Sequence, residues 1–414
     1  MPPSKKKRKR SEEPDEEEIQ QREPRTRRET KPKRDAALAL EADRKRAAAA
    51  ELEAKRLKDL RDRPPAKPGN RGDGSLHVAF IRVGQGDCAV MSTPKGTVIM
   101  FDCGSDSMED EEKFKFRSRV RKVLTGPKFL GTSNKVDILI LTHPDTDHYN
   151  KLQSVLPPSC EIVKCYHSAP RSMYSADQTS AFLAGTTADS AVLEVVVNDD
   201  RNPKRPVPGE ISLNGIPVEA ADTEKEITVD RLDGKGGILI VDEENCKVSI
   251  VAAGVQHNYH NDSSNETNRG SIVTLVEANG EKLLMCGDAT INTEQFLINT
   301  AKERLTDLAL VQAGHHGSIN TSSSQAFIDM VNPIAVVASA GKKIPMHHLP
   351  SKEVITRYNN KLTAKERATT SNHETFCWAP AALKSYVDDS VWTEQQVYTT
   401  GSYDTVYQTF PAAT

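Results

Sequence analysis

The chain has 414 residues, 37% of them hydrophobic, and a formal net charge of −3. That length suits two or three domains, and so low an apolar fraction implies that part of the chain stays outside any packed core. No stretch approaches the ~20 apolar residues a membrane span needs, and the charged N-terminus has no apolar run behind it, so neither a membrane-spanning reading nor a secretory-signal reading fits.

The charge is unevenly spread. Residues 1–70 carry 22 Lys+Arg against 15 Asp+Glu, a net of +7, and the remainder carries 33 against 43, a net of −10. Lys5 to Arg10 is an unbroken basic run, followed by an acidic block from Glu12 to Glu18 and then mixed Arg, Glu and Pro. Such blocks cannot bury a core. Nucleic acid or a transport receptor is the partner that a basic tail on an acidic body suggests; the plain alternative is a solvated tail. The expected location is cytoplasmic, or nuclear in a eukaryote, because the basic run matches an import patch. Ala36 to Arg63 is rich in good helix formers, with a thin stripe of Leu52, Leu57 and Leu60, and predicts an exposed helix suited to self-association. Pro64, Pro65 and Pro68, then the glycines from Gly69 to Gly74, form the linker to the folded body.

In that body, Leu76 to Val83 predicts a strand, and Cys88–Thr93 with Thr97–Phe101 a hairpin. Lys113 to Leu124 has helical spacing. Val136 to Leu141, apolar but for Asp137, reads as a strand buried on both faces. A helix is expected over Tyr149–Leu156, and residues 157–235 read as irregular strands and loops, an insertion over the active site. Strands resume at Gly237–Val241, Lys247–Ala252, Ser271–Glu277 and Lys282–Cys286. A helix (Thr293–Arg304), a strand (Asp307–Gln312), a helix (Ser323–Met330), a strand (Ile334–Ser339) and a helix (Ser351–Asn360) follow. Strand pairs giving way to strand–helix alternation indicate a layered α/β architecture. The seven cysteines, odd in number and without a CxxC pair, read as reduced buried thiols.

Four segments carry chemistry. In Leu141-Thr142-His143-Pro144-Asp145-Thr146-Asp147-His148, four metal-competent side chains fall within six residues directly after a buried strand. A tight loop can point them at one volume, and imidazole nitrogen with carboxylate oxygen suits divalent transition metals. The alternative is a polar loop whose aspartates cap the next helix. Cys286-Gly287-Asp288 again places an aspartate after an apolar strand, where a turn residue is the alternative. Gly314-His315-His316-Gly317 sets two histidines at a strand end, poor material for a core. Met346-His347-His348-Leu349-Pro350 offers a proton donor, or simply a surface loop.

In order and context these segments resemble the metallo-β-lactamase superfamily, and within it the nuclease-like domain of ComEC-type competence proteins and their soluble relatives. The pieces are Val83-Gly84-Gln85-Gly86-Asp87, Phe101-Asp102-Cys103-Gly104, the HxDxDH run, Asn268-Arg269-Gly270-Ser271-Ile272-Val273, Gly287-Asp288-Ala289 and His315-His316-Gly317-Ser318. The resemblance runs from about Ser75 to Tyr358, and residues 361–414 stand apart as a C-terminal extension holding both tryptophans, Trp378 and Trp392. It implies a four-layer αββα sandwich over about 75–360 with two divalent metal ions at one edge. His143 and Asp145 would hold one ion and Asp147 and His148 the other. Asp288 would bridge them, His315 or His316 would complete the second site, and Asp102 would support the loop from behind. Asp145 stands where many members have histidine, and Asn268 where a further ligand is usual, near His257 and His260. Such an oxygen-rich site puts manganese beside zinc. The implied activity is metal-dependent hydrolysis, phosphodiester bonds of nucleic acid first, with Asp147 and His348 (or His347) as catalytic groups. A hydrolase of small esters, thioesters or lactones is one alternative, and a degenerate nucleic-acid-binding scaffold is the other.

Overall fold

Short runs of Val, Ile, Leu and Phe bounded by turn residues build the strands, and their alternation sets what each face covers. The computed structural model describes residues 69–106, 110–157, 159–186, 192–198, 212–213, 216–217, 224–229, 237–255, 266–341, 347–364, 369–382, 385–403 and 405–411. The basic tail, the helix expected over 36–63, His257 and His260 lie outside the described residues.

In the first half come β1 (Leu76–Ile81), β2 (Ala89–Ser92), β3 (Val98–Phe101), α1 (Asp110–Leu124), β4 (Lys135–Leu141), α2 (Thr146–Tyr149) and α3 (Leu152–Val155). They are followed by β5 (Glu161–His167), α4 (Thr179–Thr186), β6 (Val192–Asn198), β7 (Ser212–Leu213), β8 (Ile216–Pro217) and β9 (Glu224–Val229). The second half holds β10 (Ile238–Glu243), β11 (Cys246–Ala252), α5 (Glu266–Arg269), β12 (Val273–Ala278), β13 (Glu281–Met285), α6 (Ile291–Thr300), β14 (Leu310–Gln312), α7 (Gln325–Val331), β15 (Ala335–Ala338) and α8 (Lys352–Ala364). Last come β16 (His373–Pro380), β17 (Tyr386–Thr393), β18 (Gln396–Thr399) and β19 (Thr405–Phe410).

Two sheets result, in the orders β19-β1-β2-β3-β4-β5-β6-β9 and β10-β11-β12-β13-β14-β15-β18. Each runs antiparallel through its early strands and turns parallel afterwards, at β3–β4 in the first and β13–β14 in the second. Leu76, Val78, Phe80, Ile138 and Ile140 meet Val248, Ile250, Leu283 and Val337 between the sheets. Ala79, Ile81, Leu139 and Leu141 face outward onto α1 and α3 through Phe116, Val120, Leu152 and Val155. On the far side, Leu275, Leu284, Val311 and Val336 pack on α6, α7 and α8 through Phe296, Phe327, Val354 and Tyr358. These three apolar layers make a four-layer αββα sandwich, and they explain why β4 ends in the unbroken apolar run Ile138 to Leu141.

Three local expectations differ. The helix over Tyr149–Leu156 is broken into α2 and α3, because Lys151 donates its backbone N–H to Cys103 O (3.0 Å) and the Asn150 side chain exchanges hydrogen bonds with the Ser105 backbone. Residues 157–235, expected as an insertion, extend the first sheet with β5, β6 and β9. The segment after residue 360, set apart in the sequence reading, supplies β18 beside β15 and β19 beside β1, one strand to each sheet. All seven cysteines are buried and none is in a disulfide. Among the described residues, no helix is long and apolar enough to cross a membrane.

Candidate metal centre

Loops at the C-terminal ends of parallel strands are where open α/β sheets place their ligands. Here β3 ends at Asp102 and β4 at the His143–His148 loop, while β13 ends at Asp288, β14 at His315 and His316, and β15 at Ser339. Gly287 lets the two halves meet. It has φ +51°, and a Cβ there would lie 2.7 Å from the Thr142 Cβ. Asp102, His315 and His316 also hold positive φ without being glycine (50°, 44° and 53°). Each such residue costs on the order of 1 kcal/mol, which the surrounding contacts must offset.

Every site histidine is oriented through its Nδ1. His148 Nδ1 lies 2.8 Å from Asp102 Oδ2, and His316 Nδ1 donates to Ser339 O at 2.7 Å. His315 Nδ1 lies 2.6 Å from Thr321 Oγ1. Thr142 gives its hydroxyl to Asp102 (2.6 Å), so that oxygen accepts from His143 Nδ1 at 3.0 Å. All four Nε2 atoms are thereby directed toward one another and toward Asp288.

The two oxygens of Asp288 divide the group. Oδ2 is 3.7 Å from His143 Nε2 and 3.6 Å from His315 Nε2, with Asp145 Oδ2 3.5 Å from the same His143 nitrogen. Oδ1 is 3.2 Å from His148 Nε2 and 3.4 Å from His316 Nε2, with Asp147 Oδ2 3.3 Å from His316. Ligands held at ~2.1 Å around a tetrahedral ion lie roughly 3.4 Å apart. Two groups of donors at the centre, His143 with His148 and Asp288, and Asp147 with His148 and His316, each lie within 4.8 Å of one another and can hold a metal ion. His143 Nε2 and Asp288 Oδ1 are buried with no hydrogen-bond partner, as atoms meant for an ion would be. The sequence left open which of His315 and His316 completes the second set. His316 faces Asp147 and His148, and His315 faces the His143 and Asp145 side.

The electrostatics match a site built for cations. Burial opposes ionisation of Asp288 and Asp147, but His316 and His148 outweigh it and hold both carboxyls well below the usual range. Burial likewise opposes charge on His316, and Asp288 and Asp147 reverse this, pushing it up to about 9. His148 is raised too, by Asp288, Asp102 and Asp147 against its burial. Imidazolium protons thus balance the carboxylates when no metal is bound, and metal binding would release them.

Two supporting residues were not assigned a role from sequence. Gln312, the polar end of apolar β14, accepts from Cys286 N (2.9 Å) and Gly287 N (3.3 Å) and donates to the Asp87 carboxylate. Asp87 N in turn donates to Asp147 O at 3.1 Å. This chain of bonds ties the Asp288 loop to the Asp147 loop across the two halves. Asp87 closes the Val83–Asp87 segment quoted above, which was the available signal. Asn268 lies against His315, with its Nδ2 3.2 Å from Nε2.

The centre opens into a cleft of about 700 Å³ lined by Asp145, Asp147, Asp288, His315, His316, Asp106, Asn268, His347, His348 and Tyr386 among others. No Lys or Arg lines it among the described residues. His348 is in the wall, stacked on Tyr386 with ring centroids 4.4 Å apart and edge-on to Trp378 at 4.9 Å.

No family model matches the chain. It is similar to ComE operon protein 3 of Bacillus subtilis, 24% identical over 288 residues, covering 67% of this chain and 30% of that protein. It is also similar to Recombination protein 2 of Haemophilus influenzae, 31% identical over 112 residues, 27% of this chain and 14% of that one. The chain thus spans less than a third of these relatives. Among solved structures it is similar to the human tRNase Z short form (13% identity, TM-score 0.37, 63% of this chain and 90% of that one). Another is the metallo-β-lactamase fold protein YhfI of Bacillus subtilis (8% identity, TM-score 0.29, 63% and 85%). A third relative, Competence protein ComA of Neisseria gonorrhoeae (42% identical over 76 residues, 18% of this chain and 11% of that one), matches the resemblance to competence proteins drawn from the motifs.

Proposed function

We propose that this chain is a metal-dependent hydrolase that cleaves phosphodiester bonds of nucleic acid at the centre around Asp288. The observation that carries the hydrolase reading is the division of the Asp288 carboxylate between two matched donor sets. His143, Asp145 and His315 would hold one ion, Asp147, His148 and His316 the other, with zinc or manganese as the candidates. Two bound divalent ions supply a nucleophile at neutral pH and offset the negative charge of the transition state. Asp147 faces the cleft and accepts a hydrogen bond from the attacking water, which aims it. His348, in the cleft wall, delivers a proton to the leaving oxygen. Asp102, through His148, and Thr142, through His143, keep those imidazoles in the tautomer that presents Nε2.

Support for the phosphodiester comes from the likeness to a recombination protein and a competence-operon protein, and from a cleft that is open and polar where an apolar ester would want an enclosed pocket. The lack of Lys and Arg in the described cleft wall favours a second reading, hydrolysis of a small neutral ester or lactone. Purified chain loaded with Mn²⁺ or Zn²⁺ decides between them, assayed on DNA, RNA, bis(p-nitrophenyl) phosphate, p-nitrophenyl acetate and a lactone. The expected result is cleavage of the phosphodiesters, with kcat reduced ~100-fold or more in Asp147→Asn. Turnover of the ester or lactone alone would replace the substrate class. Less than one equivalent of metal under replete conditions would favour the scaffold reading.

A further inference from the structure

The aromatic residues of the C-terminal hairpin form a ladder that leads to the cleft. Phe376 on β16 meets Trp378 edge-on at 5.7 Å, and Trp378 meets His348 edge-on at 4.9 Å. His348 lies nearly parallel to Tyr386 (14°, 4.4 Å), and Tyr386 opens β17. The ladder is fixed at its base, where Trp378 N donates to Pro350 O at 2.8 Å and Ser351 bridges Trp378, pinning the His348 segment to the hairpin. Phe376 and Trp378 are buried, whereas Tyr386 is 44% exposed. His348 is stacked on the Tyr386 ring, and Tyr386, 44% exposed, is among the residues that line the cleft holding Asp147 and Asp288. A stack serving only the core would end under cover.

We infer that Tyr386, backed by His348, is a stacking platform for one unpaired nucleobase of a single-stranded nucleic acid whose backbone reaches the metal centre. This rests on the phosphodiester reading above. A flat ring already supported on one face loses little freedom when a base covers the other, and every base offers a π-face, so such a platform tolerates any sequence. A paired base has both faces covered by its neighbours and cannot use it.

The test is binding without chemistry. The full chain carrying Asp147→Asn and Trp392→Phe, in EDTA, leaves Trp378, one rung below His348, as the only tryptophan. It is titrated with oligothymidylate, with an abasic strand of equal phosphate number and with a duplex, following fluorescence. The basic tail meets the same phosphates in both single strands, so its contribution cancels. Oligothymidylate is expected to bind about tenfold more tightly than the abasic strand, the low end of what stacking contributes. Tyr386→Ala should abolish that difference and Tyr386→Phe should keep it. Equal binding of the two single strands, a duplex that matches oligothymidylate, or a Tyr386→Ala chain that still discriminates overturns the inference. Stacking-dependent binding by a metal-loaded wild type that hydrolyses none of the strands would instead refute the phosphodiester reading and leave the platform standing.

Discussion

Asp102→Asn separates a residue that shapes a metal ligand from one that merely fills space. Asp102 is fully buried and accepts three hydrogen bonds, from Thr142 N (2.8 Å), Thr142 Oγ1 (2.6 Å) and His148 Nδ1 (2.8 Å). Its φ of 50° is one that asparagine tolerates well, so the backbone does not object to the change. The amide, however, has one acceptor oxygen and one donor nitrogen. If the oxygen keeps Thr142 N, the NH₂ takes the place that faces both Thr142 Oγ1 and His148, and it obliges Nδ1 to accept. The proton then moves to Nε2, the atom aimed at Asp288. Losing an orienting partner of this kind typically costs 10- to 100-fold in metal affinity, about 1.4–2.7 kcal/mol. If the amide turns the other way, a donor faces Thr142 and stability falls by about 1–3 kcal/mol. Metal affinity is measured by competition with a chelating dye, and stability by urea unfolding of the metal-free chain. One of the two quantities must drop by the stated amount. A variant with unchanged urea midpoint and unchanged affinity at both sites would refute the argument that Asp102 sets the tautomer of His148.

Two further expectations follow from packing and titration. In Gly287→Ala the new methyl meets Thr142, whose hydroxyl bonds both Asp102 and His143, so the damage spreads to both halves of the centre. A loss of about 2–3 kcal/mol and metal content below two equivalents are expected, and a variant that melts and loads like the wild type would show the contact to be dispensable. His167 is buried with Nδ1 on Ala169 O (2.5 Å), and burial lowers its pKa to about 4. The unfolded chain takes up this proton first, near pH 6.5, so the stability contributed is complete above that pH and is lost as pH falls toward 4. The loss approaches about 3 kcal/mol. Urea midpoints of wild type and His167→Gln across pH 4–7 should converge toward the acid end, and parallel curves would contradict it.

The sequence by itself determined most of the elements between Leu76 and Asn360 and the candidate metal-binding side chains. Val136 to Leu141, apolar but for Asp137, reads as a strand covered on both faces, and the His143–His148 loop, Asp288 and the His315–His316 pair each follow an apolar run, which places each at a strand end. Periodicity and local order suffice for that, because both are properties of neighbouring residues. Only the tertiary structure decided how those strand ends meet. The two oxygens of Asp288 face different histidines, and His315 and His316, adjacent in sequence and both at positive φ, point to opposite sides of it. Gln312 and Asp87, 225 residues apart, tie the Asp288 loop to the Asp147 loop. Tyr386, in a segment that looked like an appendage, reaches the cleft because β18 and β19 complete the two sheets and the hairpin before them packs on α8. None of these meetings leaves a local signature, since each depends on where parallel strands from two sheets end in space.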